Sequence, residues 1–350
     1  MDYAPDNARS LKVLIVVSPS SKPSTATADE LRFGRFAAIL SSGGFKSLLT
    51  YPATMAQLSR SIEEFKPDLV FSAPDHLPES SSRSAAGILS AKSVNVHGWL
   101  ESEGIPYVGS PPDVIELALS KTALKEKWMR DGISTPEFLS VDSVADLSAL
   151  GRSAIPPFPC IVKPADAGNS RGITKDSVAF DMKGLAALVA GLSEDFGHIL
   201  IERYLGLYPD FREITCACIG NGGDRLVMPV RIVLREPRKI HVITTADKEG
   251  QGTEALAVED PFLRDAVKAF AGAAFSSAGV RDYSRCDTMF ADGKFWAIEV
   301  NGQPMIPDPW FEACARQENL SERQYILAIF GAAASRLGLG RPGQDRDGGP

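Results

Sequence analysis

The run RCDTMFADGKFWAIEVNGQP, residues 285–304, restricts the possible folds more than any other stretch. Two apolar segments rich in Phe, Trp, Ile and Val flank Asp292-Gly293, a strong hairpin signal. A hairpin of this composition is buried, and buried charges need partners. It nevertheless carries Arg285, Asp287, Glu299 and Asn301. Side chains alternate along a strand, so Arg285 and Asp287 share one face, as do Glu299 and Asn301. The turn decides whether these faces coincide. A two-residue Asp292-Gly293 loop pairs Asp287 with Ile298 and sends Glu299 to the opposite face. A three-residue Ala291-Asp292-Gly293 loop pairs Phe290 with Lys294 and Arg285 with Glu299, and all four polar groups converge. That leaves Phe290, Trp296, Ile298 and Val300 as the core face. The three-residue loop is the expectation. Two carboxylates and an amide are hard oxygen ligands suited to Mg²⁺, and an arginine beside them can stabilise charge on a transferring group. A purely structural Arg–carboxylate network would show the same parity, so the rest of the chain has to decide.

Before the hairpin the pattern changes once. LKVLIVVS, the helical TADELRFGRFAAILSSGGF, KSLLTY, MAQLSRSIEEFK and DLVFSA alternate strand and helix over roughly residues 1–113, which predicts a parallel sheet with helices on its faces. DVIELALSKTALKEKWMRDG (113–132) predicts one long amphipathic helix. From FPCIVKP onward the strands are longer and alternate, as in an antiparallel sheet with one covered face. Helices are predicted over about 261–278 and 321–336. GLGRPGQDRDGGP predicts a disordered tail.

With 350 residues, 44% of them hydrophobic, more than one domain is expected. The net charge of −7 and the lack of a basic cluster argue against a nucleic-acid partner. No apolar run approaches the ~18 residues of a membrane span, and the polar N-terminus has no signal-peptide core; a cytoplasmic protein is expected. The five cysteines show no metal-ligand spacing, and Cys216-x-Cys218 reads as two reduced core residues.

CIVKPADAGNSRGITK (160–175) places Lys163 on a strand ahead of a loop of small residues, the arrangement a phosphate cradle needs. HILIERYL follows, a strand running into a linker that could meet an adenine edge, and then Glu213, an acid for ribose hydroxyls. The order helix lysine, strand lysine, glycine loop, linker with acid, helix, then Arg-x-Asp…Glu-x-Asn resembles the ATP-grasp superfamily, and within it the D-alanine–D-alanine ligase group. The matching segments are EGIPYVGSPPDVIELALSKTALKEKWMRDGISTPEF, IVKPADAGNSRGITK, ILIERYL and RCDTMFADGKFWAIEVNGQP.

The resemblance implies an α/β ATP-grasp fold: an N-terminal parallel, Rossmann-like pre-ATP-grasp domain (1–113), a central subdomain (114–206), a C-terminal subdomain with the metal site (207–336) and a tail (337–350). It implies ATP with two Mg²⁺ ions, replaceable by Mn²⁺, small carboxylate and amine substrates, and a possible homodimer. Lys121 and Lys163 would contact phosphates, and Asn169, Ser170 and Gly172 would close over them. Glu202, Arg203, Tyr204 and Leu205 would hold adenine, Glu213 the ribose, and Lys248 would reach the γ-phosphate. Asp287 and Glu299 would bind one metal ion, Glu299 and Asn301 a second, and Arg285 would steady the acyl phosphate. The implied reaction is amide-bond formation through that intermediate.

Three departures from the group's pattern bear on substrate choice. Lys22 stands in SPSSKPSTATADE, where an acid pairing the donor ammonium is expected. SAPDHLPESSSRS replaces a His-Gly…Glu-Asp-Gly run, leaving His76 as a candidate substrate contact. NGQPMIPDPWF puts Met305 at an oxyanion glycine and Trp310 near an acceptor-binding serine. The expectation is a ligase for a specialised metabolite or modified amino acid, joining a different acid and amine, with a donor that lacks an α-ammonium or is larger and Trp310 as an apolar wall; the alternative is a genuine D-alanine–D-alanine ligase of cell-wall synthesis.

Overall fold

The computed structural model describes residues 10–18, 23–79, 93–250 and 252–339, with no side chain described for 23–29. Lys22 and the predicted tail beyond Leu339 lie outside the described residues.

Strands β1 (Lys12–Val16), β2 (Lys46–Thr50) and β3 (Leu69–Ser72) form the predicted parallel sheet, ordered β2-β1-β3, with helices α1 (Pro23–Ser42) and α2 (Met55–Phe65) between them. Val13, Leu14, Ile15 and Val16 are fully buried because both faces of the sheet are covered. A parallel bridge from Val70 to Tyr107 adds to this sheet. A short hairpin, β4 (His76–Pro78) with β5 (Ser93–Asn95), leads into α3 (Val96–Ser102).

The single helix predicted over 113–132 is two helices, α4 (Pro112–Leu119) and α5 (Lys121–Arg130). Ser120 adopts an extended backbone and caps α5 through its hydroxyl, so the chain turns and Lys121 occupies the first position of the new helix. Its amide donates to Ala165 O (3.1 Å), seating the helix start against the glycine loop.

Strands β6 (Phe138–Val141), β7 (Cys160–Pro164), β8 (Val178–Ala179) and β9 (Ile199–Arg203) make an antiparallel sheet ordered β6-β9-β7-β8. Helices α6 (Val144–Ala149) and α7 (Met182–Ser193) belong to the same segment, and Leu185 and Val189 of α7 join its core. The third sheet holds β10 (Arg212–Ile219), β11 (Leu226–Leu234), β12 (Thr253–Leu256), β13 (Tyr283–Ala291) and β14 (Lys294–Asn301), ordered β12-β11-β10-β13-β14. Helix α8 (Thr245–Glu249) precedes β12, and α9 (Pro261–Ala278) packs behind the sheet. Helices α10 (Pro309–Gln317) and α11 (Glu322–Arg336) close the described chain. α10 did not stand out in the sequence reading, although Asp308-Pro309 is a helix-start signal.

The opening hairpin is built differently from the expectation. Ala291 pairs with Lys294, so the loop is two residues, Asp292 and Gly293, both at positive φ (56° and 70°). Convergence comes instead from a β-bulge: Thr288 pairs with Ala297, whereas Asp287 pairs with Glu299 and Arg285 with Asn301. Ile298 is the extra residue, and a bulge re-aims every side chain beyond it. The expected core set therefore splits. Val300 joins Cys286 and Ala297 behind the sheet, and Phe290 meets Phe295 there. Trp296 and Ile298 turn to the front with Leu205 and Ala291. Cys216 and Cys218 are buried and free, as expected, and so are the other three cysteines.

Candidate active site

A cavity opens between the front of the five-stranded sheet and the β6-β9-β7-β8 sheet. Lys121, Lys163, Ser170, Glu202, Arg203, Tyr204, Leu205, Glu213, Lys248, Asp287, Glu299 and Trp310 all line it. Ile161, Val242, Met289 and Ile298 give one wall an apolar surface fit for a flat ring.

Lys121 and Lys163 are almost fully buried. Lys121 donates to Ala167 O (2.6 Å) and stands 3.5 Å from Glu299 Oε2. Lys163 bonds Glu202 Oε1 at 3.2 Å. The other Glu202 oxygen lies 2.5 Å from the ammonium of Lys125, a fully buried lysine absent from the sequence reading. Lys125 also donates to Thr135 Oγ1 (2.6 Å), which donates to Ala297 O (2.8 Å). Burial pushes Lys125 down to about 8, against the opposing pull of Glu202. Burial alone would raise Glu202, but the two lysines outweigh it and hold the carboxyl below its ordinary value. The Glu202 side chain is thus spent on a lysine pair, which leaves the backbone of the 202–205 linker to face the cavity. Helical spacing places Lys121 and Lys125 on one face of α5, a signal that could have found the second lysine.

The glycine loop leaves β7 just after Lys163. Asn169 and Ser170 both take positive φ (53° and 55°), as does Gly172 (79°). A Cβ at Gly172 would come within 2.6 Å of Pro164 Cγ, so glycine is required for the loop to fold back on the lysine strand. Lys248 sits in α8, where Thr244 and Asp247 form a capping box and Arg238 grips Asp247. Thr245 Oγ1 donates to Asn169 O (2.9 Å), joining this helix to the glycine loop.

On the hairpin, Asp287 Oδ1 accepts from Thr215 Oγ1 (2.9 Å) and from Arg285 Nε (3.3 Å). Arg285 reaches Asp308 Oδ1 as well (3.3 Å), the residue that caps α10. Burial raises the Asp287 carboxyl, and the charge of Glu299 opposes the lowering effect of Arg285. Burial would also raise Glu299, but Lys121, Lys248, Lys163 and Arg285 together hold it at about 2. Asn301 is exposed, and its Oδ1 accepts from Gln303 N (3.1 Å). Two facing carboxylates with unequal proton affinities suit a divalent cation. Among the described residues no group of three or more acids, histidines or cysteines surrounds a point. Remaining ligands would have to come from phosphate oxygens and water, the usual habit of Mg²⁺.

Glu213 Oε2 meets His241 Nε2 (2.8 Å), and both residues line the cavity. The Trp310 ring centre lies 4.9 Å from Lys248 Nζ and 5.2 Å from the Arg285 guanidinium. Met305 is 46% exposed and His76 is exposed on β4, and neither lines the cavity.

Residues 128–320 match the family model for the D-ala D-ala ligase C-terminus. The D-alanine–D-alanine ligase of Cupriavidus necator is 31% identical over 247 residues, covering 69% of this chain and 72% of that one. That of Cupriavidus metallidurans is 32% identical over 245 residues, with the same coverage. Among solved structures, a D-alanine–D-alanine ligase from Bacillus anthracis in complex with ATP aligns over 95% of this chain and 100% of that one, with a TM-score of 0.67 at 20% identity. The VanG D-Ala:D-Ser ligase of Enterococcus faecalis aligns over 93% of this chain and 100% of that one, with a TM-score of 0.65 at 17% identity. The structural matches establish the fold and the sequence matches the kinship: the chain belongs to the D-alanine–D-alanine ligase family of ATP-grasp enzymes, which form carbon–nitrogen bonds.

Proposed function

We propose that the chain joins a small carboxylate to an amine at the expense of ATP, releasing ADP and phosphate. One observation carries the reading: Asp287 and Glu299 face each other across the bulge while Lys121, Lys163, Lys248 and Arg285 act on the same pair. A carboxylate is a poor electrophile, and its phosphorylation brings several negative oxygens together. Positioned cations and carboxylate-held metal suit that step. Lys121 and Lys163 would hold phosphates and the 169–172 loop would cover them. Lys248 would neutralise the phosphoryl group in flight. Tyr204, Leu205 and the apolar wall would take the base, and Glu213 the ribose. Asp287, Glu299 and Asn301 would hold two magnesium ions, which when bound offset charge between carboxylate and triphosphate. Arg285 would then stabilise the acyl phosphate and the tetrahedral species formed when the amine attacks.

On substrate identity, the names of the relatives favour D-alanine as both partners. Trp310 favours another pair. An indole lining the cavity beside Lys248 and Arg285 offers a flat apolar face where a carboxylate-binding hydroxyl is the family habit, and a buried carboxylate without a donor costs several kcal/mol. The reading adopted is a ligase for a different acid and amine. An ADP-release screen of carboxylates against amines at fixed Mg-ATP tests both. Amine-dependent release with some pair is expected; release with D-alanine alone, equal to the best other pair, would overturn the reading on substrate. Nucleotide binding without release for any pair would overturn the ligase itself.

A further inference from the structure

We propose that His241 is a positioning residue for the sugar of the nucleotide, a role that rests on Glu213 being the ribose acid as read above. The imidazole N–H holds one oxygen of Glu213 and turns the other toward the ribose hydroxyls, which makes the site prefer ribonucleotides to deoxynucleotides. Glu213 stands near the start of β10 and pairs with Met289 of β13, a residue of the apolar wall. Thr215, two residues on, shares its face and donates to Asp287 Oδ1 (2.9 Å). Two residues span about 7 Å along a strand. Glu213 therefore lies between the wall fit for a base and the acids fit for metal and phosphate, where the sugar of a nucleotide in this cavity has to sit.

Among the described residues the Glu213 carboxylate has one polar partner. Its Oε2 lies 2.8 Å from His241 Nε2, and its Oε1 has no hydrogen bond. A carboxylate accepts and cannot donate, so Nε2 carries the proton. The Glu213 side chain is 16% exposed and that of His241 21%, so this is not a surface pair of the kind that contributes little. A carboxylate bound at one oxygen no longer turns freely about its last bond, and Oε1 keeps its lone pairs for a hydroxyl. Ribose offers two hydroxyl donors there, and a deoxyribose one fewer.

His241 is itself held from three sides. Its ring meets the Phe211 ring edge-on, with centroids 5.0 Å apart. Its carbonyl oxygen accepts from Tyr204 Oη (3.0 Å), a residue of the linker that would take the base. Val242, the next residue, packs with Tyr204 and Val178. The Val242 carbonyl accepts from Arg238 (3.1 Å), whose guanidinium also grips Asp247 of α8. These contacts fix the imidazole without using either of its nitrogens, which leaves Nε2 for Glu213 alone. Any aromatic ring of similar size would serve the packing. The N–H aimed at a cavity acid is the part that packing does not require.

The test is calorimetric binding of ADP, 2′-deoxy-ADP and 3′-deoxy-ADP, each with Mg²⁺, to the full chain. Wild type should bind ADP at least about 10-fold more tightly than one of the deoxynucleotides, the lower end for a hydrogen bond to a charged group. His241→Phe keeps the ring and removes the donor. It should cut that preference to about 3-fold or less while the affinity for the deoxynucleotide stays within about 3-fold of wild type, which shows an intact pocket. His241→Gln, whose amide nitrogen takes the Nε2 position, should restore the preference. Glu213→Ala should lose the preference as His241→Phe does, and the double variant should lose no more. If His241→Phe keeps the wild-type preference, or weakens all three nucleotides equally, the proposal falls, while loss of preference in Glu213→Ala would still support the ribose acid. No preference in wild type, or an unchanged one in Glu213→Ala, would overturn the ribose reading and the proposal with it.

Discussion

Replacing Lys125 with Met removes a charge and keeps the volume, so it isolates what the buried ammonium contributes. Glu202 has two partners, Lys125 at 2.5 Å and Lys163 at 3.2 Å, and all three side chains are nearly inaccessible to water. Removing one partner of a buried pair costs about 3–5 kcal/mol because the other charge is left without compensation. Here Lys163 remains, so the lower end applies, about 3 kcal/mol, a large part of the ~5–15 kcal/mol by which domains are stable. Urea unfolding followed by circular dichroism reads the loss as a lower midpoint. The double variant Lys125→Met/Glu202→Gln should be more stable than the sum of the single losses by about 2 kcal/mol, since no charge is then stranded. Nucleotide affinity of Lys125→Met should stay within about tenfold of wild type, as Lys121 and Lys163, the proposed phosphate contacts, still line the cavity. A single variant within 1 kcal/mol of wild type, or additive losses in the double, would refute the claim that Lys125 neutralises Glu202.

Four further outcomes are expected. Glu299→Gln should abolish ADP release by more than about 100-fold with an unchanged circular dichroism spectrum, because it removes the carboxylate shared by both proposed metal ions; near-normal turnover would sink the metal assignment. Gly172→Ala should raise the KM for ATP and lower stability by about 1–3 kcal/mol, since its Cβ meets Pro164 at 2.6 Å and φ is +79°; unchanged ATP kinetics would oppose a phosphate role for the loop. A Mg-ATP analogue should slow tryptic cleavage at Lys248, because Thr245 already bonds Asn169 and a nucleotide would be gripped by both segments; equal cleavage with and without it contradicts a lid. His97 is buried with Nδ1 donating to Ser110 O (2.9 Å), and burial lowers it to about 4. Between pH 6.5 and 4 the unfolded chain binds the proton and the folded chain does not, so stability should fall by about 3 kcal/mol as pH drops through that window, and His97→Gln should lose that slope in urea melts.

Much of the site was legible because its chemistry needs residue types that buried elements rarely carry. A lysine at the end of an apolar strand, small residues after it, and acids inside an aromatic hairpin are each costly without a ligand. The lining residues Lys163, Asp287 and Glu299 are read in this way, Glu213 as the acid after the linker, and Lys121 only through the family resemblance. The failures share one cause, geometry set by long-range packing. The bulge at Ile298 leaves no mark in the local alternation, so the correct convergence was reached through the wrong turn. Lys125 reads as an exposed helix residue until Glu202 arrives from β9. The break at Ser120 looked like continuous helix, because a serine at a cap and a serine in mid-helix are the same letter. Asp308 declared its capping role by the following proline, but its pairing with Arg285 depends on where α10 lands.

Trp310 shows how these pieces work as one device. The Lys248 ammonium lies 4.9 Å and the Arg285 guanidinium 5.2 Å from the centre of its ring, so it couples helix α8 to strand β13. A cation–π contact of this kind contributes about 0.5–2 kcal/mol, less than a buried ammonium gains from a phosphate oxygen. Nucleotide charge arriving in the cavity would therefore draw Lys248 off the ring. Arg285, pinned by Asp287 and Asp308, cannot follow. The indole face released by Lys248 would then become available to the second substrate only after ATP is seated. This ordering predicts that tryptophan fluorescence should change on nucleotide binding in wild type and in Lys248→Met by different amounts, because only the wild type has a cation to lose from the ring. Identical spectral changes in the two proteins would show that Lys248 does not leave Trp310.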